Sequence, residues 1–175
     1  MGQIELISEL FKIIDADVSA MCISANTGKL VFFEKGPRFS TFSSLNIDKR
    51  PGIYIFKANR CFSLDKSRFN SVPCASKTNK NLIANQISSG SIVYIGKSET
   101  SVAKRIDQHI KKCGSSVYSL RLFNSARAQL IKSLFLDVYY LKQEYSKNYA
   151  KFLLTEVEQR LFDVLKPIIG SRRNG

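Results

Sequence analysis

Histidine occurs once in this chain, at position 109, and the four cysteines, Cys22, Cys61, Cys74 and Cys113, are scattered with no C-x-x-C pair among them. A structural zinc site takes about four nitrogen or sulfur ligands at short spacings, so this composition argues against one. The thiols read as reduced cysteines of an intracellular protein. Acidic residues are also scarce: 14 Asp and Glu stand against 27 Lys and Arg, a formal net charge of +13 in 175 residues. Such an excess opposes compaction by self-repulsion and is ordinarily retained where a polyanion neutralises it. Nucleic acid is therefore the leading partner class, although ribosomal proteins and membrane-surface binders share the same basic balance. Long apolar runs are missing too. The longest, such as Leu30 to Phe33, fall far below the roughly 20 residues needed to cross a bilayer. The N-terminus, Met1-Gly2-Gln3-Ile4-Glu5-Leu6, has no basic-then-apolar signal pattern and no Ser or Thr at position six for myristoylation. The expectation is a soluble, cytoplasmic protein of bacterial or phage type, without a membrane partner.

What is present suffices for one compact domain, or one domain with an appendage, since 44% of the residues are apolar. Ile4, Ile7, Leu10, Phe11 and Ile14 recur at helical spacing and predict an amphipathic helix over about 3–14. Ala20 to Ser24 and Lys29 to Glu34 flank Asn26-Thr27-Gly28 and suggest a hairpin, which extends the sheet or makes a dimer contact. Residues 35–51 are loop-like, and a boundary near Pro51 leaves 1–50 as an N-terminal extension. Gly52 to Phe56 and Ser91 to Gly96 then read as two strands. Between them lies a basic stretch, about 57–90, with Lys57, Arg60, Lys66, Arg68, Lys77 and Lys80 against Asp65 alone. It is either a solvated loop or an arm that embraces DNA, because Lys and Arg meet phosphates and Asn can read base edges.

A helix is predicted from a cap at Ser98 or Thr100 to about Lys112, with Val102, Ile106 and Ile110 as its apolar stripe. Arg105, His109 and Lys112, at i, i+4 and i+7, share a face beside that stripe and can point together into a cleft beneath the sheet, with Lys104 as a neighbour. Val117 to Phe123 and Phe135 to Leu141 are rich in β-formers, Ala126 to Leu134 has helical spacing, and a third core strand is expected at Asp137 to Lys142. The last helix, Tyr149 to Leu165, places Leu154, Leu161 and Leu165 around Glu158. That carboxylate projects from an apolar stripe and needs a partner, for which a cation is suited. Glu156 is the nearby competitor, but Arg160 at i+4 suits it to a surface ion pair.

Gly52-Ile53-Tyr54, Tyr94-Ile95-Gly96, Arg105 with His109 four residues on, and downstream Glu158 form an ordered set that resembles the GIY-YIG nuclease superfamily, in its restriction-endonuclease-like branch. The family pattern after the glutamate, Leu at +3 and Pro at +9, is met by Leu161 and Pro167. The chain departs from the pattern in three places. The insertion after the first strand is long, Tyr94 to Arg105 is one residue longer than usual, and Gly170 stands near where an Asn is common, leaving Asn174 as the candidate. Lys97 directly after the second tripeptide resembles the excision-repair incision subunits, whereas His after Arg resembles homing and restriction members. The resemblance covers about 51–175 and implies an α/β (α+β) fold with a small three-stranded antiparallel sheet flanked by helices.

It also implies hydrolysis of DNA phosphodiesters. That chemistry demands an activated water, compensation of charge at the pentacoordinate phosphorus and stabilisation of the leaving 3′ oxygen. Glu158 would hold one Mg²⁺, for which Mn²⁺ would substitute, since a single carboxylate with oxygen ligands suits a hard ion. Arg105 would clamp the phosphate, and either Tyr54 or Tyr94 would orient or deprotonate the water. A free phenol titrates near 10, so Lys97 or His109 would have to bias one tyrosine toward phenolate. Asn174 completes the set. Lys57, Arg60, Lys66, Arg68, Lys77, Lys80, Lys104 and Lys112 would contact the backbone of double-stranded DNA, and no small-molecule cofactor is implied. Sequence-specific restriction-type cleavage by a homodimer is the leading expectation. The alternatives are a structure-selective repair or mobile-element nuclease, and a nucleic-acid-binding module without catalysis.

Overall fold

Ile53, Tyr54, Ile55 and Phe56 form an unbroken apolar run, the mark of a strand covered on both faces. In the computed structural model of the chain, which describes residues 33–40, 46–71, 89–111, 119–122, 134–142 and 145–170, that run is the start of an interior strand. Four strands, β1 (Phe33–Lys35), β2 (Gly52–Ser63), β3 (Ser89–Ser98) and β4 (Leu134–Leu141), form one sheet in the order β1-β4-β2-β3. Every pairing is antiparallel. Three helices accompany it among the described residues: α1 (Lys66–Ser71), α2 (Val102–Ile110) and α3 (Lys147–Leu165). The chain is thus mixed α/β with a four-stranded sheet, not the three-stranded one expected. The additional strand is β1, from the Lys29 to Glu34 arm of the anticipated hairpin, and it pairs Phe33 with Leu141 at the sheet edge. The sheet therefore draws on residues from both sides of Pro51.

Alternation along β2 divides the core in two. Ile53 and Ile55, with Ile95 of β3, pack against Leu153, Leu154, Val157 and Leu161 of α3. Tyr54 and Phe56, with Tyr94, face the other way and pack with Val102 and Ile106 of α2. After α3, Lys166 takes a left-handed conformation (φ 46°) ahead of Pro167, a common way to end a helix. The chain then reaches the α2 side, where Ile168 and Ile169 are buried and donate backbone hydrogen bonds to Ile92 and Val93 of β3.

Several boundaries differ from expectation. The basic stretch after Phe56 is not a loop from its start: β2 continues to Ser63 and pairs back onto Ser89 and Gly90, followed by the short α1. Register shifts after Phe56 and after Lys57 break the two-residue period by which such a strand is recognised. The cap of α2 is Ser101, whose Oγ accepts from Lys104 N at 3.2 Å. Ser98 instead accepts from Ser101 N, and α2 ends at Ile110. β4 begins at Leu134, three residues before the expected Asp137, and residues 119–122 belong to none of the four strands. The expected helix over 3–14, the strand at 20–24 and all of the helical stretch expected from Ala126 to Leu134 except Leu134 itself, which is in β4, lie outside the described residues, as do Cys22, Cys74 and Cys113. Cys61 is an exposed free thiol. Among the described residues no helix is long and apolar enough to cross a membrane.

Asp137, inside the sheet on β4, is buried and bound by Arg38, whose Nε and Nη2 reach its two carboxylate oxygens at 2.6 and 3.0 Å. Lys57 approaches the same carboxylate at 3.6 Å. A carboxylate at that depth holds its charge only with such partners.

The two tripeptide glycines answer to close packing. A Cβ on Gly52 would lie 2.1 Å from the backbone oxygen of Tyr139, and one on Gly96 would lie 2.4 Å from Tyr54 Oη and 2.5 Å from Cζ. On Gly90 it would meet only Ile168 Cγ1, at 3.7 Å. Gly52→Ala and Gly96→Ala are each expected to lower urea stability by roughly 1–3 kcal/mol. Gly90→Ala should leave it unchanged or raise it by up to about 1 kcal/mol. Equal effects at the three positions would contradict this packing.

Candidate active site

The register of β2 and β3 sets Tyr54 opposite Gly96 and Phe56 opposite Tyr94. Tyr54 and Tyr94 are therefore diagonal neighbours on one face, with ring centroids 6.2 Å apart. α2 lays His109 against the same patch, with ring centroids 5.4 Å from Tyr54, 5.5 Å from Phe56 and 4.9 Å from Tyr94. His109 Nε2 lies 2.8 Å from Tyr54 Oη, and His109 Nδ1 lies 2.9 Å from the backbone nitrogen of Leu120.

Those two contacts fix the direction of the hydrogen bonds. A backbone N–H can only donate, so Nδ1 accepts from Leu120 and carries no proton. Nε2 then bears the proton of the neutral ring and donates to Tyr54 Oη. Tyr54 is left to donate its own proton, and its further hydrogen bond is with Tyr94. A directed chain results: Leu120 N–H to His109, His109 to Tyr54, Tyr54 to Tyr94.

Charge states agree with this chain. Burial holds the His109 imidazole well below its ordinary titration range, and the positive charge of Arg105 adds to the effect. Burial likewise pushes the Tyr54 phenol well above its usual value. The nearby Tyr94 pushes the same way, Arg105 pulls it back, and Glu158 and the hydrogen bond with Tyr94 raise it again. Two expectations are corrected here. His109 is not a cation aligned with Arg105 in an open cleft; it is a fully buried neutral group. Nor is Tyr54 biased toward phenolate, because desolvation outweighs the neighbouring positive charge.

Arg105 and Glu158, both half-buried, thus reach the Tyr54 hydroxyl electrostatically from α2 and α3. Arg105 Nη1 also donates to Gln108 Oε1 at 2.8 Å. Lys97 departs from its expected role as a bias on a tyrosine. Its ammonium donates to Glu99 Oε1 at 2.8 Å and Thr155 Oγ1 at 2.7 Å, tying β3 to α3 one turn before Glu158. Of the residues expected to meet DNA, Arg60 is exposed on β2, Lys66 and Arg68 lie on α1 and Lys104 is exposed on α2. Lys57 is turned to Asp137 with its side chain only 17% exposed. Lys77, Lys80, Lys112 and Asn174 lie outside the described residues.

Sequence reasoning overlooked Gln108, Glu99, Thr155 and Leu120. The first three had a signal: Gln108 is i+3 from Arg105, Glu99 is two residues after Lys97, and Thr155 is i−3 from Glu158. Leu120 acts through its backbone, which no side-chain pattern announces. Among the described residues no three His, Cys, Asp or Glu side chains form a group able to hold a metal. Compared with protein-family models, curated proteins and solved structures, the chain has no match.

Because His109 is neutral in the folded chain but titrates near 6.5 when unfolded, the unfolded state takes up the additional proton as pH falls. Stability should therefore drop from about pH 7 toward pH 5, steepening to about 1.4 kcal/mol per pH unit for this group. Urea unfolding of wild type and His109→Gln across that range should show the drop as a difference between the two. Parallel profiles would contradict a buried neutral imidazole.

Proposed function

We propose that the protein is a metal-dependent endonuclease that hydrolyses DNA phosphodiesters, a reading that follows its resemblance to the GIY-YIG nucleases. The observation that carries it is the convergence on the Tyr54 hydroxyl of Tyr94, Arg105, Glu158 and a neutral His109, supplied by β2, β3, α2 and α3. A carboxylate and a guanidinium acting on one buried phenol is a set suited to phosphoryl chemistry.

In this mechanism Arg105 binds the scissile phosphate through parallel N–H groups and offsets the charge that grows on its oxygens. Tyr94 takes the proton of the attacking water. It suits that step better than Tyr54, because the hydrogen bond from Tyr54 stabilises a Tyr94 phenolate, whereas desolvation keeps Tyr54 protonated. His109 holds Tyr54 in the orientation from which it donates. A divalent ion held by Glu158, Mg²⁺ with Mn²⁺ as substitute, would supply charge compensation at the phosphate and the leaving oxygen. Lys97 positions rather than reacts, bracing β3 against the turn of α3 that precedes Glu158. Arg60, Lys66, Arg68 and Lys104 offer positive charge to the DNA backbone, with the β2–β3 ribbon reaching beyond the core. Site-specific cutting of both strands by a homodimer is the form of the activity this reading favours.

Plasmid incubated with Mg²⁺ should give discrete fragments, and Glu158→Gln should abolish them while DNA binding persists. Cleavage retained in Glu158→Gln would overturn the metal site. Cleavage of branched DNA alone would favour a structure-selective nuclease, and retarded DNA without new ends would leave a binding module. Tyr94→Phe should slow cleavage by at least about 100-fold and Tyr54→Phe by less; the reverse order would assign proton transfer to Tyr54.

A further inference from the structure

The guanidinium of Arg105, whose charge is felt at both Tyr54 and His109, is not left to find its own orientation. Gln108 stands three residues further along α2, and Arg105 Nη1 donates to its Oε1 at 2.8 Å. A guanidinium has only donors to offer, so the amide turns its oxygen toward Arg105 and the contact has one sense. Both residues are half-buried, and neither is closed off from solvent as His109 is. An arginine side chain is long and rich in rotamers, and a planar donor fork serves recognition only when its plane is fixed.

The chemistry of the acceptor is also informative. Arg38 is gripped by Asp137, and Arg50 by Glu34 and Asp48, all carboxylates that offset the charge they hold. A carboxylate is present beside Gln108 in sequence as well, but Asp107 Oδ1 pairs with Lys111 at 2.9 Å. Gln108 is neutral, so its hydrogen bond orients Arg105 without subtracting from the positive charge that an anionic ligand meets.

We propose that Gln108 is a positioning residue for the phosphate clamp, fixing the plane of the Arg105 guanidinium through a neutral acceptor so that the scissile phosphodiester is met in one orientation. This rests on the phosphodiesterase reading above, in which Arg105 binds that phosphate. Gln108 itself touches neither the reacting atoms nor the metal.

Two substitutions test orientation and neutrality separately. Gln108→Met keeps the length of the side chain and loses the acceptor, whereas Gln108→Glu keeps the acceptor and adds a negative charge. With Mg²⁺ and a cleavable duplex, each should lower kcat/KM by about 10-fold or more, since small misplacements of a clamp are costly, while the urea midpoint of Gln108→Glu stays at the wild-type value. In an Arg105→Lys background, which lacks the planar fork, Gln108→Met should cost nothing further. Wild-type cleavage by either variant overturns the proposal, as does an equal loss from Gln108→Met in both backgrounds. If Gln108→Met does not fold, the rate of Gln108→Glu decides alone.

A readout independent of cleavage is the Arg105 Nε–H resonance in ¹H–¹⁵N spectra, assigned by its loss in Arg105→Lys and followed during titration with inorganic phosphate. The wild type should bind several-fold more tightly than either Gln108 variant; equal affinities overturn the proposal. If the wild type cuts no DNA but the variants lose phosphate affinity, Gln108 remains the positioning residue of an anion site and the nuclease reading falls. Cleavage that is equal in wild type and variants removes the role of Gln108 alone.

Discussion

The hydrogen bond between His109 Nε2 and Tyr54 Oη, 2.8 Å long and fully buried, is the interaction on which the rest of the site depends. Its direction is not set by either partner. It is set by the Leu120 backbone N–H, which occupies Nδ1 and leaves a single tautomer for a ring too deeply buried to take a second proton. From that one constraint follow the donor role of Tyr54 and the acceptor role of Tyr94. A buried polar cluster is tolerable only when its donors have acceptors, and here Leu120 N–H, His109 Nε2–H and the Tyr54 hydroxyl each have one.

The sheet makes this cluster possible by separating two tasks. Its α3 face is aliphatic and holds the long helix through Leu153, Leu154, Val157 and Leu161. Its α2 face carries the aromatic rings, and there Gly96 leaves room for the Tyr54 hydroxyl where any side chain would collide with it. The Lys97 bridge to Thr155 and the backbone clip of Ile168 and Ile169 onto β3 connect the two faces around that strand. Glu158 is thereby held where its charge is felt at Tyr54, although its helix packs mainly on the opposite side. The chain's net charge of +13 is what the proposed polyanionic substrate would neutralise.

Much of this was legible in the residues. Strands at Gly52 and Tyr94 follow from apolar runs, and their antiparallel pairing puts the two tyrosines on one face. Glu158 could be picked from its position among leucines at helical spacing. Other features were not legible, for specific reasons. β1 is three residues long in its described part and takes meaning only from its pairing with β4. The continuation of β2 beyond Lys57 is hidden by register shifts that scramble the alternation. The neutrality of His109 depends on burial, and its tautomer on a backbone donor eleven residues further along the chain, neither of which has a pattern in sequence. Lys97, three residues after Tyr94 on an alternating strand, falls on the opposite side of β3, where it meets Glu99 and Thr155.

The central claim is that His109 is a neutral, Nε2-protonated imidazole that directs the tyrosine chain, and ¹⁵N NMR of its two ring nitrogens across pH 5 to 8 tests it most directly. An unprotonated Nδ1 and a protonated Nε2 throughout that range are the predicted result. A ring that becomes imidazolium within the range, or carries its proton on Nδ1, would contradict the direction of the chain and the role it gives to Tyr94.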